Sequence, residues 1–240
     1  MISLARYSSG SQSSVSTWPP SWTYVRNSCS LASTTLLCST LTIVRVPQVS
    51  TRRNELTRQA ARLFAEKGYH GTSIGDLAEA MGVQKGSLYA HISSKQDLLY
   101  ETMAEGARAF HAGLDAIPDE ASATEKIRLA LRSHLQVVAD QLDVATVFVQ
   151  EWRYLEGERR EEIVAERRRY EERIRALFRE GRDLGELRSD LDDATAALLV
   201  LSAVNWAYTW LQPGRATDEL ADRFYSLLVD GMRGYATPPA

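Results

Sequence analysis

The sequence predicts an all-α protein in which an N-terminal three-helix, helix-turn-helix domain is followed by a larger helical domain. Three observations predict it. From Thr51 onward apolar residues recur at the spacing of one helix face, and no convincing pair of strands interrupts them. Each periodic run ends at a residue that stops a helix: Gly68, Gly82, Pro118, the Gly181–Gly185 turn, and Pro213 with Gly214. The starts are marked as clearly, by hydroxyl side chains at Thr72–Ser73 and Ser93–Ser94 that can accept from the free N–H groups of a first turn.

Taken in order, Leu56, Ala60, Leu63 and Phe64 define the first helix, and Gly68 ends it. Thr72 and Ser73 cap a second over "IGDLAEAMGV", with Ile74, Leu77, Ala78 and Met81 on one face until Gly82 breaks it. A short third helix runs from about Gln84 or Lys85 to His91. Ser93 or Ser94 then caps a long helix through Leu98, Leu99 and Met103 to about Ile117. Helices near 122–141, 143–155 and 158–183 follow, then the turn "GRDLGELRSDLD" and helices near 190–211 and 217–234. The boundaries predicted are therefore a helix-turn-helix domain over 51–97 and a second helical domain over 98–236.

Residues 1–50 stand apart. They are rich in Ser and Thr, contain no Asp or Glu, and show no helical period. Their most apolar part, "LLCSTLTIVRV", lies too far from the start and is too broken for a secretory signal. They read as a disordered extension or as the product of a start codon assigned too far upstream. Both cysteines, Cys29 and Cys38, fall in this segment, which suits a reducing, cytoplasmic location. No apolar run is long enough to span a membrane.

Charge is divided unevenly. Residues 51–95 carry seven bases against four acids, while residues 96–240 carry 18 against 27. A basic module joined to an acidic one points to a polyanion that meets only the first. Catalysis finds no support. His70, His91, His111 and His134 are scattered without a zinc-ligand spacing, and no phosphate-cradling glycine loop or nucleophile elbow is present. Asp192 and Asp193 belong to a helix start, where negative charge is favoured. Neither a cofactor nor a metal is expected.

The stretch "GVQKGSLYAHISSK", Gly82 to Lys95, concentrates the chemistry. Two helices joined by a short glycine turn make a helix-turn-helix, with Val83, Leu88 and Ile92 holding the angle from inside. The outer face of Gln84, Lys85, Gly86 and Ser87 is slim enough to enter a major groove and read base edges. Tyr89 and His91 can donate to phosphate oxygens, as can Lys95 in the first turn of the next helix. The plainer alternatives are a packing role for Tyr89, a capping role for His91 and a solvated Lys85. An upstream basic arm, "TRRNELTR", with Arg52 and Arg53, makes the set harder to explain that way.

Residues 52–99 resemble the N-terminal domain of the TetR family of bacterial transcriptional regulators. The likeness rests on Ala60, Phe64, Gly68 and Tyr69, on Thr72-Ser73-Ile74 opening the second helix, and on "LAEAMGVQKGSLYAHISSKQDLL". Ala90 and Ile92 depart from it, standing where a polar residue and a phenylalanine are commoner. The resemblance implies double-stranded DNA with a palindromic operator as partner, and adds Thr72 and Ser73 to the DNA-facing set. It further implies a homodimer built from the last two long helices, with Leu198, Leu199, Leu201, Val204, Leu220, Phe224, Leu227 and Leu228 as apolar positions. Lastly, it implies a small effector bound by the second domain.

For that effector, Trp206 and Trp210 lie four apart, as do Phe148 and Trp152 on another helix, a pattern that suits an apolar pocket or, more plainly, a core or dimer interface. "VNWAYTWLQPGR" is similar to the branch of the family that senses acyl-CoA thioesters. In that branch basic side chains meet the CoA phosphates, which makes Arg167 and Arg168, with Arg169 and Arg173, candidates on the charged helix. The alternatives are a solvated charged face for those arginines, and a free fatty acid, a cationic drug or an aromatic compound for the effector.

Overall fold

Two serines set the frame of the N-terminal head. Ser73 accepts from the Asp76 N–H at 3.0 Å, and the Asp76 carboxylate accepts from the Ser73 N–H at 2.7 Å. Ser94 and Asp97 repeat this reciprocal cap at 3.1 and 2.7 Å. The protein is described by a computed structural model over residues 48–212 and 217–229, all helices and turns. The caps open α2 (Ile74–Ala80) and α4 (Lys95–Asp115); α1 (Gln48–Lys67) precedes them and α3 (Lys85–Leu88) lies between. Gly68 and Gly82 follow α1 and α2 at φ of 76° and 62°, a left-handed conformation that a side chain disfavours. Leu56, Ala60, Phe64, Leu77, Leu88 and Leu98 are fully buried together and fix the angles between these helices.

The α-helical part of α3 is shorter than the sequence predicts, a single turn. Beyond Leu88 the coil tightens: the N–H groups of Ala90 and His91 reach carbonyls three residues back, at 3.3 and 2.8 Å. Gln84 stands at the N-cap without a side-chain bond to the turn.

The body comprises α5 (Ala123–Asp140), α6 (Leu142–Gln150), α7 (Gly157–Asp183), α8 (Asp193–Asn205) and α9 (Asp218–Val229). Helix α5 lies at the centre, against α4, α7 and α9; α8 packs on α7, and α1 seats the head on α4 and α6. No helix of the described residues is long and apolar enough to cross a membrane. The segments predicted over 1–47, Pro213–Gly214 and beyond Val229 lie outside the described residues.

Two predicted helices stop early. The 143–155 segment becomes α6 followed by a 3₁₀ turn, Trp152–Tyr154, because the Glu151 carboxylate is drawn to the head. The 190–211 segment ends at Asn205 and continues as a second 3₁₀ turn, Trp206–Thr209. There the coil tightens over buried Ala207, whose carbonyl accepts from Trp210 and Leu211 at 3.2 and 2.8 Å.

Asp192 caps α8 by accepting from the Thr195 N–H at 3.0 Å, as expected of a helix start. Its neighbour does more. Buried Asp193 receives Arg175, Arg179 and Arg182 of α7 at 2.5, 3.2 and 3.0 Å, pinning α8 to α7. Arg175 foremost, with the other two, holds its carboxyl at about 2. A carboxylate whose folded pKa is depressed contributes stability above its unfolded value, near 4, and loses that contribution as pH falls through the folded one. The stability difference between wild type and Asp193→Asn is therefore expected to be constant near neutrality and to shrink from about pH 4 downward. Circular-dichroism melts of both proteins across that range check it; a difference that stayed constant into acid would count against the triple arginine contact.

Candidate nucleic-acid interface and effector cleft

The short α3 turn presents Gln84, Lys85, Gly86 and Ser87 to solvent while Leu88 and Ile92 are buried beneath it. Tyr89 is 54% exposed, so it is not the packing aromatic that the sequence also allowed. Arg52 is exposed on α1, and His91 is half-buried with its carbonyl accepting from Arg53 at 3.2 Å.

Several predicted DNA contacts have other tasks. Thr72 is buried, and its hydroxyl donates to the carbonyls of Leu63 and Gly68 at 3.1 and 3.0 Å, which removes it from the DNA-facing set. The Ser73 hydroxyl is engaged in the α2 cap. Arg53 pairs with Glu101 of α4, bracing the first helix against the fourth. Lys95 departs most from expectation. Its Nζ donates to the carbonyls of Tyr69 and Thr72, both at 2.8 Å, and sits 4.1 Å from the Tyr69 ring centre. Burial pushes its pKa down. This ammonium is a clip that satisfies the loop between α1 and α2. Lys95→Met is expected to cost about 2 kcal/mol, the worth of charge-assisted bonds to carbonyls left unpaired. Urea unfolding measures it, and unchanged stability would restore the simple phosphate-contact reading.

The head meets the body at the 3₁₀ turn after α6. Buried Glu151 accepts from the Tyr69 N–H at 2.8 Å, and the Tyr154 ring lies 6.1 Å from Tyr69 and 4.5 Å from His70. Gln96 donates to the Tyr154 carbonyl at 2.8 Å, and Arg159 pairs with Asp97. Sequence reading missed Glu151; its signal was one acid closing the apolar run "VATVFVQEW".

One helical turn before Glu151, Phe148 begins the wall of a cleft between α4, α5, α6, α7 and α8. Arg167 donates to the Phe148 carbonyl at 2.8 Å, with its guanidinium 5.1 Å from the Phe148 ring and 5.4 Å from Trp152. Burial lowers its pKa, opposed in part by Glu171, and among the described residues no carboxylate forms an ion pair with it. The cleft has a volume of about 90 Å³, and His134, Tyr170 and Leu201 also line an apolar chamber of about 10 Å³, room for about one water. Arg168 is exposed beside Trp152, on the outer surface of α7.

Trp206 and Trp210 do not line this cleft. Three residues per turn, rather than 3.6, carry them off the predicted face: Trp206 is 62% exposed against Tyr208, and Trp210 packs 6.0 Å from Phe224. Val204, expected at a dimer interface, is buried in the chamber wall instead. Other predicted interface residues do face out: Leu198 and Leu199 on α8 and Leu227 on α9 are exposed. His134 and Tyr170, which the structure places at the centre of the cleft, went unassigned in the sequence. A histidine among Leu131, Leu135 and Val138 on an apolar helix face was the available signal.

A three-helix head with an exposed recognition turn, seated on a larger helical body that carries a cleft, has the helix-turn-helix form of a DNA-binding protein. The chain belongs to the TetR family of bacterial transcriptional regulators: residues 56–102 match the model described as bacterial regulatory proteins, tetR family, and residues 120–232 match the tetracyclin repressor-like C-terminal domain. The crystal structure of the TetR-family regulator PfmR from Thermus thermophilus is 34% identical with a TM-score of 0.69, over 77% of this chain and 97% of that one. AibR, solved in complex with isovaleryl coenzyme A and operator DNA, is 31% identical with a TM-score of 0.68, over 74% and 97%. A curated relative, the fatty acid metabolism regulator protein of Bacillus subtilis (strain 168), is 27% identical over 177 residues, 72% of this chain and 91% of its own length.

Proposed function

We propose that this chain is a homodimeric repressor that grips a palindromic operator and is released by an amphiphilic effector, an acyl thioester of coenzyme A. The observation that carries the effector class is Arg167, a half-buried guanidinium with no ion-pair partner among the described residues, at the mouth of an apolar chamber. A guanidinium partly withdrawn from water, with Glu171 on the same cleft but not hydrogen-bonded to it, favours an anion that meets it. An apolar tail running inward from that anion describes a fatty acid, or an acyl-CoA whose pantetheine arm spans from phosphates at the mouth to the acyl chain within, and the same charge disfavours a cationic drug. The complex of AibR with isovaleryl coenzyme A supports the thioester over the free acid, and the name of the Bacillus relative agrees with either.

On the DNA side, Arg52, Tyr89 and His91 grip phosphate, and Gln84, Lys85 and Ser87 read bases. Leu198, Leu199 and Leu227, exposed on α8 and α9, are the surface that a second copy covers. The test is a series of acyl-CoA thioesters of short, medium and long chain added to protein bound to DNA from upstream of its own gene. Release by one range of chain lengths is expected. Release by none would remove the thioester, and release by free acids alone would replace it.

A further inference from the structure

The mouth and the chamber of the cleft share one polar junction. His134, 3% exposed on α5, places Nδ1 3.1 Å from the hydroxyl of Tyr170, itself buried on α7. Its other ring nitrogen, Nε2, is buried and has no hydrogen-bond partner among the described residues. Both rings line the outer cleft and the apolar chamber at once. A buried polar atom without a partner, on a ring that lines a cleft, is destabilising unless something else satisfies it.

Its character follows from the inventory of donors. Burial drives the His134 pKa down to about 3, so the ring is neutral and carries one proton. The Tyr170 hydroxyl has a hydrogen to donate, and His134 Nδ1 is its hydrogen-bond partner among the described residues. If Tyr170 donates to Nδ1, the ring proton sits on Nε2, and a single N–H is left unpaired. In the opposite tautomer both the tyrosine hydrogen and the Nε2 lone pair go unsatisfied. The first arrangement leaves fewer orphans.

We infer that His134 donates from Nε2 to a carbonyl oxygen of the effector, making it a specificity-determining residue that recognises the thioester carbonyl. This rests on the thioester reading above. Placement agrees: the carbonyl meets His134 at the junction, the acyl chain lies beyond it among Leu131, Ile174 and Val204, and the pantetheine arm leads out past Arg167 toward the phosphates. The chamber holds about one water as it stands, so an acyl chain must part α5, α7 and α8 to enter.

Two measurements on the full-length protein test this. Nitrogen-15 NMR of labelled histidine reports the tautomer without any ligand: the Nε2–H form is expected for His134, and the Nδ1–H form would overturn the inference. Calorimetric titration then compares octanoyl-CoA with S-octyl-CoA, the thioether lacking only the carbonyl oxygen. Wild type is expected to prefer the thioester at least tenfold, as one lost hydrogen bond beside a buried donor implies. His134→Phe is expected to lose that preference and His134→Gln, whose amide can still donate, to keep part of it. Melting curves establish that both variants fold. Equal affinity of wild type for the two analogues would overturn the carbonyl contact. Failure of both to bind would overturn the thioester class, while the tautomer still decides whether a donor awaits the ligand.

Discussion

Glu151→Ala is expected to bind operator DNA in the absence of effector yet to be released far less by it. The carboxylate stands three residues after Phe148, whose carbonyl holds Arg167 at the cleft mouth. On the proposed effector reading, a ligand anion that drew Arg167 away would free the end of α6, and Glu151, bonded to the Tyr69 N–H on the loop that Lys95 clips, would carry that change to the head. Removing the carboxylate cuts the hydrogen bond that joins this strip to the head. Couplings between effector and operator typically amount to about 1–3 kcal/mol, so full loss of the coupling is expected to reduce effector-induced release by roughly 5- to 150-fold. The orphaned N–H of Tyr69 lowers stability by about 1–3 kcal/mol as well. Glu151→Gln retains an acceptor and should fall between the two. Fluorescence anisotropy of labelled operator across an acyl-CoA titration separates the variants, and undiminished release from Glu151→Ala would place the coupling elsewhere.

The second large effect lies in the recognition turn. Leu88→Ala is expected to cost about 3 kcal/mol, because Leu88 is fully buried under a helix of one turn that has little else to hold it. Operator binding should fall by about two orders of magnitude or more, since the angle of α3 depends on that side chain. Tyr89, the next residue, offers the contrast. Exposed and outward, its replacement by alanine should leave stability within about 0.5 kcal/mol and weaken binding evenly across operator variants. Urea unfolding beside anisotropy distinguishes the two. Equal stability losses would mean that the turn is not organised as described.

Why the head was legible and the cleft was not comes down to the range of the interactions. Ser73 with Asp76 and Ser94 with Asp97 are caps closed within four residues, and Gly68 and Gly82 are stops set by their own φ. Such features are written in the local sequence, and the family resemblance added the orientation of the recognition turn. The loop contacts of Lys95 were not legible because its partners, the carbonyls of Tyr69 and Thr72, lie more than 20 residues away. Glu151 was missed for the same reason, since its partner lies 82 positions earlier. In the cleft, spacing alone joined Trp206 and Trp210 to Phe148 and Trp152, and two 3₁₀ turns undid it. The cleft is lined instead by His134, Tyr170 and Arg167, which three-dimensional packing brings together from α5 and α7.

Paired α2–α3 heads are proposed to read a palindrome and to hold it largely through phosphate. Footprinting on DNA from upstream of the gene, repeated over a range of salt concentrations, tests this. Two symmetric protected half-sites are expected, with an affinity that falls steeply with salt as counterions are released. Protein that protected no half-site even at low salt, or bound with no dependence on salt, would contradict that proposal.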